Sequence, residues 1–420
     1  MRFRLAASAL SLLAQAAPAP ASPQAGYEAI EAASQALGRG GYLEAVDRAR
    51  SVAFRGDGRF DPEHGWYWLQ IHPYLGGTFD RLAFGPPAPA YPLDPERADR
   101  GRRAEVREAI AEIVARARHT SIVILNEDHR SPRDRAFALE VARALRPLGY
   151  TVLAAETFSN PPAGIPYRPM ADLARDRFPR LRTGTYVLDP VFGDFVRQAL
   201  AIGYRPVAYE PSGPPRPGTA VERLREREQR AAENLVASIF RADSRAKVMI
   251  YVGHSHVAEA PIRTFGQPEE WLAARLKRIT GVDPLTIDQT AADELDPRAR
   301  AWRGLLAPRL RARPSILFLE GAPLVEGEYR GAVDLQVVHP PLRLVRGRPT
   351  WLLRIGRRPV EIPRRLLPAR GTRLIQAFVA GEPADAIPLD QVVVEAGSPA
   401  PPLMLRRGPV RWAWQDPVPP

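Results

Sequence analysis

The chain is 420 residues long, more than one ordinary core can use, and its 45% apolar content is that of a folded protein, which excludes a disordered chain and sets two or three domains as the expectation. It has no cysteine, which excludes a disulfide framework, a thiolate metal site and a lipoprotein anchor. The formal charge of +12 is almost wholly arginine, with Lys247 and Lys277 the only lysines, and it is interleaved with acidic residues as in Arg223 to Glu228, so it reads as solvated helix surface and no nucleic-acid partner is expected.

Residues 1–21 read as a cleaved signal peptide. Arg2 and Arg4 form a positive start, Leu5 to Leu13 a short apolar core, and Ala14-Gln-Ala16 or Ala19-Pro-Ala21 offers small residues for cleavage. That core is far shorter than the roughly 20 residues a membrane span needs. The expectation is an exported, periplasmic or secreted protein with no integral membrane segment once the signal is removed.

Residues 22–100 read as a helical hairpin followed by an irregular segment. Tyr27, Ile30, Ala33 and Leu37 keep a helical spacing that breaks at Gly38 and Gly40-Gly41 and resumes at Leu43, Val46 and Ala49. Residues 53–100 are rich in Gly, Pro and aromatics, and His64 and His72 within them read as structural.

Residues 101–312 alternate strand and helix. A helical pattern over Ala104 to Ala117 is followed by strands at 121–126, 151–155, 205–209, 247–252 and 284–288, with helices predicted at 133–147, 191–202, 219–240 and 268–279. Five strands separated by helices predict an α/β fold with a mostly parallel sheet and flanking helices. From 313 to 420 the texture changes to short β-prone runs split by Gly and Pro, such as Ile316 to Leu319, Val333 to Val338, Trp351 to Ile355 and Arg373 to Phe378, which predict a β-rich C-terminal module.

The strand ends carry the chemistry. Glu127 and His129 follow the first strand, Glu156 the second and Glu210 the third; His254 and His256 follow the fourth, and Asp288 closes the fifth. In a parallel sheet these ends converge on one crest. A lone Glu127 or Asp128 is explained as well by a helix cap, and a lone His129 by a loop hydrogen bond. Glu156 after an apolar strand has no such simple account, because a carboxylate at a buried strand end needs a partner. On the helix over 219–240, Arg227, Ala231 and Asn234 share a face.

Three motifs give this crest a family likeness. Asn126-Glu-Asp-His129 resembles a Gly-Glu-x-His strand end, followed one crossover later by Glu156-Thr-Phe, like Glu-x-Phe. Arg227-Glu-Gln-Arg-Ala-Ala-Glu-Asn234 looks like an Arg-Asp-x-x-Met-Ala-x-Asn helix, and Tyr251-Val-Gly-His-Ser-His256 is similar to a Gly-x-x-His strand end. The set resembles the superfamily of ChaN-like haem-binding uptake proteins, Tiki and TraB-type metalloproteases and erythromycin esterases, over about residues 121–260. The spacing Glu127-x-His129 favours the ChaN-like branch. Asn126 stands where the pattern has glycine, Glu228 where it has Asp and Ala231 where it has Met.

Two functions follow. In a hydrolase, Glu127, His129, Glu156 and His256 could hold a divalent metal ion with an open position for water, or His129 could be general base with Glu127 or Glu156 orienting it and Arg227 stabilising an oxyanion. In a non-enzymatic haem- or iron-binding uptake protein, His129, His254 or His256 would be the cofactor ligand. The ligand is a small molecule, a peptide or haem. The passage from Phe158 to Pro190, with Tyr167, Phe178 and Tyr186, reads either as an aromatic wall or lid or as a packed irregular loop.

Overall fold

The computed structural model describes residues 23–77, 92–162, 164–214, 216–291, 297–310 and 312–417. The expected signal peptide lies outside the described residues. The hairpin α1 (Pro23–Gly38) and α2 (Tyr42–Ala53) turns at Gly40, whose positive φ of 82° suits glycine. Two short helices follow in the aromatic-rich stretch, α3 (Gly65–Ile71) and α4 (Pro95–Arg103), the latter capped by the Asp94 carboxylate accepting from Arg97 N.

The α/β domain opens with a correction. The helix expected from Ala104 begins only at α5 (Ala109–Ala117), because β1 (Glu105–Glu108) pairs antiparallel with a strand at Ser315–Leu319. A long-range partner outweighs local helical periodicity there. Next come β2 (Ile122–Glu127), α6 (Pro132–Leu145), β3 (Tyr150–Ala155), α7 (Pro169–Asp176), α8 (Pro190–Ala201) and β4 (Arg205–Val207). They are followed by α9 (Ala220–Leu235), β5 (Lys247–Gly253), the hairpin β6 (Ile262–Thr264) and β7 (Gln267–Glu269), α10 (Leu272–Thr280), β8 (Leu285–Asp288) and α11 (Pro297–Leu306). Thr219 and Glu222 close a capping box at the start of α9.

The sheet is larger than five strands. β9 (Ser315–Leu319), β10 (Ala322–Pro323) and β11 (Leu335–Val338) join it, giving the order β1-β9-β11-β8-β2-β5-β3-β4 with β10 on β9. β11, β8, β2, β5, β3 and β4 are parallel, and β9 runs against β11 and β1. The runs Ile316 to Leu319 and Val333 to Val338 therefore extend the parallel sheet instead of the C-terminal module. Composition announces a strand but not which sheet edge it will find.

The central strands are buried on both faces, which is why they read as unbroken apolar runs. Val123, Leu125, Leu153 and Tyr251 pack with α5, α6 and α8, while Ile122, Ile124, Val152 and Ile250 pack with α9 and α10. The crossovers β2 to β3 and β3 to β4 carry α6 and α8 on the first face; the returns β4 to β5 and β5 to β8 carry α9 and α10 on the second. β2 and β5 are neighbours left by the chain on opposite faces, so a crevice opens between their carboxyl ends. Glu127 and Gly253 are paired in register at that crevice.

The C-terminal residues form a three-stranded antiparallel sheet of 390–395, 372–379 and 410–415, with a second ladder between 358–360 and 403–405. The expected run Trp351 to Ile355 forms a helical turn over Thr350–Leu353 whose apolar side chains join the core around α6 and α8. The α1–α2 hairpin packs on the same region: Leu43 N donates to Gln415 Oε1 at 3.0 Å, and Gln415 Nε2 donates to Gly40 O at 2.6 Å. Among the described residues no helix is long and apolar enough to cross a membrane.

Candidate functional site

The first half of the crest is built around Glu127. Its Oε1 accepts from His129 Nδ1 at 2.8 Å and from Arg135 Nη2 at 3.1 Å, and its Oε2 accepts from Arg135 Nε at 2.9 Å. Burial pushes the Glu127 carboxyl up, but the Arg135 guanidinium and the His129 hydrogen bond outweigh it and hold the group below its usual range. An ionised carboxylate only accepts, so His129 Nδ1 is the donor in this bond and Nε2 lies outside it. Arg135 is fully buried in α6; it also donates to the His129 carbonyl and to Asp189 Oδ2, both at 2.8 Å. Asp189, in turn, caps α8. The His129 ring is stacked on Tyr186 with centroids 3.8 Å apart, so hydrogen bonds and packing fix it together.

The second half is built around Glu156, which follows β3. Its Oε1 accepts from Arg227 Nη2 at 2.7 Å and its Oε2 from Gly253 N at 2.6 Å. Arg227 Nε donates to Glu210 Oε2 at 2.8 Å, so the guanidinium of α9 bridges the ends of β3 and β4. His256 Nδ1 donates to Glu228 Oε2 at 2.8 Å, and its Nε2 lies 3.5 Å from Glu156 Oε1 and 3.2 Å from Arg227 Nη1. Burial opposes charge on His256, but Glu228 and Glu156 on either side push its pKa up to about 10, making it an imidazolium at neutral pH. Burial likewise opposes charge on Glu156, yet His256 and Arg227 hold its carboxyl well below the usual range. Two cations thus stand side by side, balanced by Glu156, Glu210 and Glu228. The Arg227 side chain remains 38% exposed and can still meet a ligand.

Gly253 joins the halves. A Cβ there would sit 2.4 Å from His129 Cε1, 2.5 Å from His129 Nε2 and 2.9 Å from Glu156 Oε2, so the free nitrogen of His129 and the Glu156 carboxylate flank one glycine. The structure therefore brings together Glu127, His129, Glu156, Arg227 and His256. His254 is placed differently: it is exposed, has a left-handed φ of 34°, and presents its ring edge-on to His129 at 5.3 Å. Of the two histidines after β5, His256 is the one engaged by Glu156.

Asn126, the departure from glycine, has a structural role. Its Nδ2 donates to the His254 carbonyl at 3.1 Å and to Asp288 Oδ1 at 2.8 Å, and its Oδ1 accepts from Gln289 N at 2.8 Å. One buried amide ties the ends of β2, β5 and β8 together. Asp288 and His339 serve the same scaffold: Asp288 Oδ2 accepts from Gln336 Nε2 at 3.1 Å, and His339 Nε2 lies 3.0 Å from Gln289 Oε1.

Sequence reasoning missed Arg135 and Asp189 and named Glu228 only as a substitution. The signal for Arg135 was present: it shares a helical face with Ala138, Leu139 and Ala142, all buried, and an arginine on an apolar face requires a carboxylate. Glu228 likewise directly precedes no apolar cue but lies on α9 beside Arg227, and it is fully buried.

Among the described residues no three His, Asp or Glu side chains are arranged to hold a metal ion. Both oxygens of Glu127 and of Glu156 already accept N–H groups, and His256 Nδ1 is committed to Glu228. A cavity of about 400 Å³ beside Arg227 is lined by Glu210, Arg223, Leu224, Phe265 and Trp271 among others, and no histidine or tyrosine in its wall could ligate haem iron.

No protein-family model and no curated protein matches the chain. Among solved structures it is similar to RRSP, a MARTX toxin effector domain from Vibrio vulnificus CMCP6, at 17% identity and a TM-score of 0.31, covering 56% of this chain and 44% of that one. A structure described as bacterial protein toxins matches at 16% identity and TM-score 0.31, over 43% of this chain and 37% of that one. The type III effector HopBA1 matches at 16% identity and TM-score 0.29, over 44% of this chain and 86% of that one. The chain spans less than half the length of the first two.

Proposed function

We propose that the crest is a hydrolytic site of the ChaN- and Tiki-like kind, acting on a small-molecule or peptide ligand with His129 as general base. The observation that carries the reading is the 2.8 Å bond between His129 Nδ1 and Glu127, which leaves Nε2 open beside Gly253 and the Arg227–His256 pair. In the proposed step His129 Nε2 takes a proton from water as the water oxygen attacks an acyl carbon; the tetrahedral adduct then collapses, the acyl C–O or C–N bond breaks, and His129 returns the proton to the departing alcohol or amine. Glu127 stabilises the imidazolium that forms, and Arg227 with His256 stabilises the charge growing on the substrate oxygen. The metal-independent form is preferred because the carboxylate oxygens of Glu127 and Glu156 are already engaged. Export belongs to the proposal and rests on residues 1–21.

The test is hydrolysis of a panel of esters and peptides by the purified protein. His129→Ala is expected to lower kcat/KM by about 10²- to 10⁴-fold, the range of a lost general base, and a chelator to leave turnover unchanged. Turnover that survives His129→Ala overturns the assignment, and turnover lost to the chelator restores the metal form. A Soret band on titration with haemin would instead support the haem-binding alternative.

A further inference from the structure

The cavity beside Arg227 has a built character that hydrolysis alone does not require. It lies between α9, the Pro-rich passage after β4, and the β6–β7 hairpin, and the mutually bonded Arg227 and Glu210 are part of its lining. Trp271 is shared with the crest: its ring meets His256 edge-on at 5.1 Å, and its Nε1 donates to Thr264 Oγ1 at 3.2 Å. A group seated against Trp271 and Leu224 is therefore next to the cations that would hold a reacting oxygen.

The hairpin tip adds an independent observation. Phe265 and Gly266 both have positive φ, 51° and 82°, as a two-residue hairpin turn of the primed type requires. Asn or Gly is the ordinary first residue of such a turn, and a bulky aromatic is disfavoured there. Phe265 nonetheless occupies it, 64% exposed, on the cavity wall. A strained backbone carrying a largely exposed aromatic ring on a cavity wall points to a role in what that wall meets.

Charge supplies the second half of the recognition. Glu210 is engaged by Arg227, and Glu226 by Arg216 at 3.0 Å and Arg230 at 3.5 Å. Arg223 donates to the Gly218 carbonyl and, among the described residues, has no carboxylate partner. The cavity therefore presents an apolar wall of Leu224, Phe265 and Trp271 with one guanidinium at its rim not matched by an acid.

We infer that this cavity is the specificity subsite of the proposed hydrolase and takes an aromatic group bearing a carboxylate, such as the terminal aromatic residue of a peptide. The assignment rests on the hydrolytic reading for its purpose but not for its test, which is binding. Arg223 pairs with the carboxylate, Phe265 and Trp271 enclose the ring, and the scissile bond falls beside Arg227.

The probes are N-acetyl-L-phenylalanine, its amide and N-acetyl-L-alanine, titrated calorimetrically into the full chain. The acid is expected to bind about tenfold more tightly than the amide, the size of one charge-assisted hydrogen bond at a half-exposed site. Arg223→Gln should abolish that preference while leaving amide binding unchanged, and Phe265→Asn, which suits the turn, should weaken acid and amide alike. Equal binding of acid and amide, a preference that survives Arg223→Gln, or no binding of the acid at millimolar concentration overturns the subsite. Intact binding without hydrolysis of any substrate would remove the hydrolase reading alone.

Discussion

Gly253→Ala adds one methyl group and is expected to remove activity while leaving the fold in place. The backbone at Gly253 has φ −86° and ψ 148°, a conformation any residue adopts, so the substitution introduces no backbone strain. What it introduces is a Cβ 2.4 Å from His129 Cε1 and 2.9 Å from Glu156 Oε2, where non-bonded carbon contacts normally lie at about 3.5–4.0 Å. The ring must retreat by about 1 Å, yet Glu127 grips its Nδ1 at 2.8 Å and Tyr186 is stacked on its face at 3.8 Å. Overpacking of this kind costs about 1–3 kcal/mol, and a displacement of about 1 Å at a reacting group costs about 10²-fold in rate. Thermal melting and kcat/KM on the best substrate of the hydrolysis panel read the two effects separately. In a His129→Ala background the clash with the ring is gone and most of the stability cost should go with it. A folded Gly253→Ala protein with activity within twofold of wild type would falsify the placement of His129 Nε2 at the reaction centre.

Arg135→Met leaves Glu127 and Asp189 buried without their shared cation, and breaking a buried pair in this way costs about 3–5 kcal/mol at neutral pH. Because Arg135 helps hold the Glu127 carboxyl low, its loss lets burial raise that group, so in denaturant melts the penalty should shrink as pH falls and Glu127 protonates; a penalty independent of pH would count against the charge argument. His256 has the opposite sign: its pKa of about 10 in the folded chain lies above the roughly 6.5 of an unfolded histidine, so its stabilisation is full below that value and is lost as pH rises toward 10. His256→Gln should flatten that alkaline slope, and an unchanged slope would show that His256 is not held as an imidazolium.

The α/β class and the five central strands were legible because parallel strands buried on two faces leave apolar runs that Gly and Pro punctuate. Strand ends could be located to within a residue or two, and in a parallel sheet that is enough to place Glu127, Glu156 and Glu210 on one crest. What was not legible depends on partners far away in sequence. Residues 105–108 have a helical pattern and become a strand only because β9 lies beside them, and β9 and β11 could not be assigned to the main sheet from their own composition. At the site, spacing named the groups but not their states. Position after the fourth strand does not by itself say whether His254 or His256 enters the site; Glu228 on a separate helix and Glu156 on a separate strand engage His256. The glycine of the family pattern at position 126 looked like a missing feature, whereas Asn126 substitutes bonds to three strand ends for close backbone approach.

The two engaged histidines illustrate how one crest assigns different work to the same side chain. His129 has a carboxylate on Nδ1 alone, so that nitrogen is fixed as donor and Nε2 lies outside the bond. His256 has Glu228 on one nitrogen and Glu156 on the other, so its charged form is favoured and it has no lone pair to offer. In the proposed hydrolysis this difference in surroundings divides the roles of base and electrostatic stabiliser between them. The division depends on Glu156 being shared: it faces the free side of His129 through Gly253 while it pairs with Arg227 and His256, so proton uptake by His129 would place a new cation beside a carboxylate already held ionised by two others. In the proposed hydrolysis, Glu156 would thus face the cation that His129 becomes when it takes a proton from water.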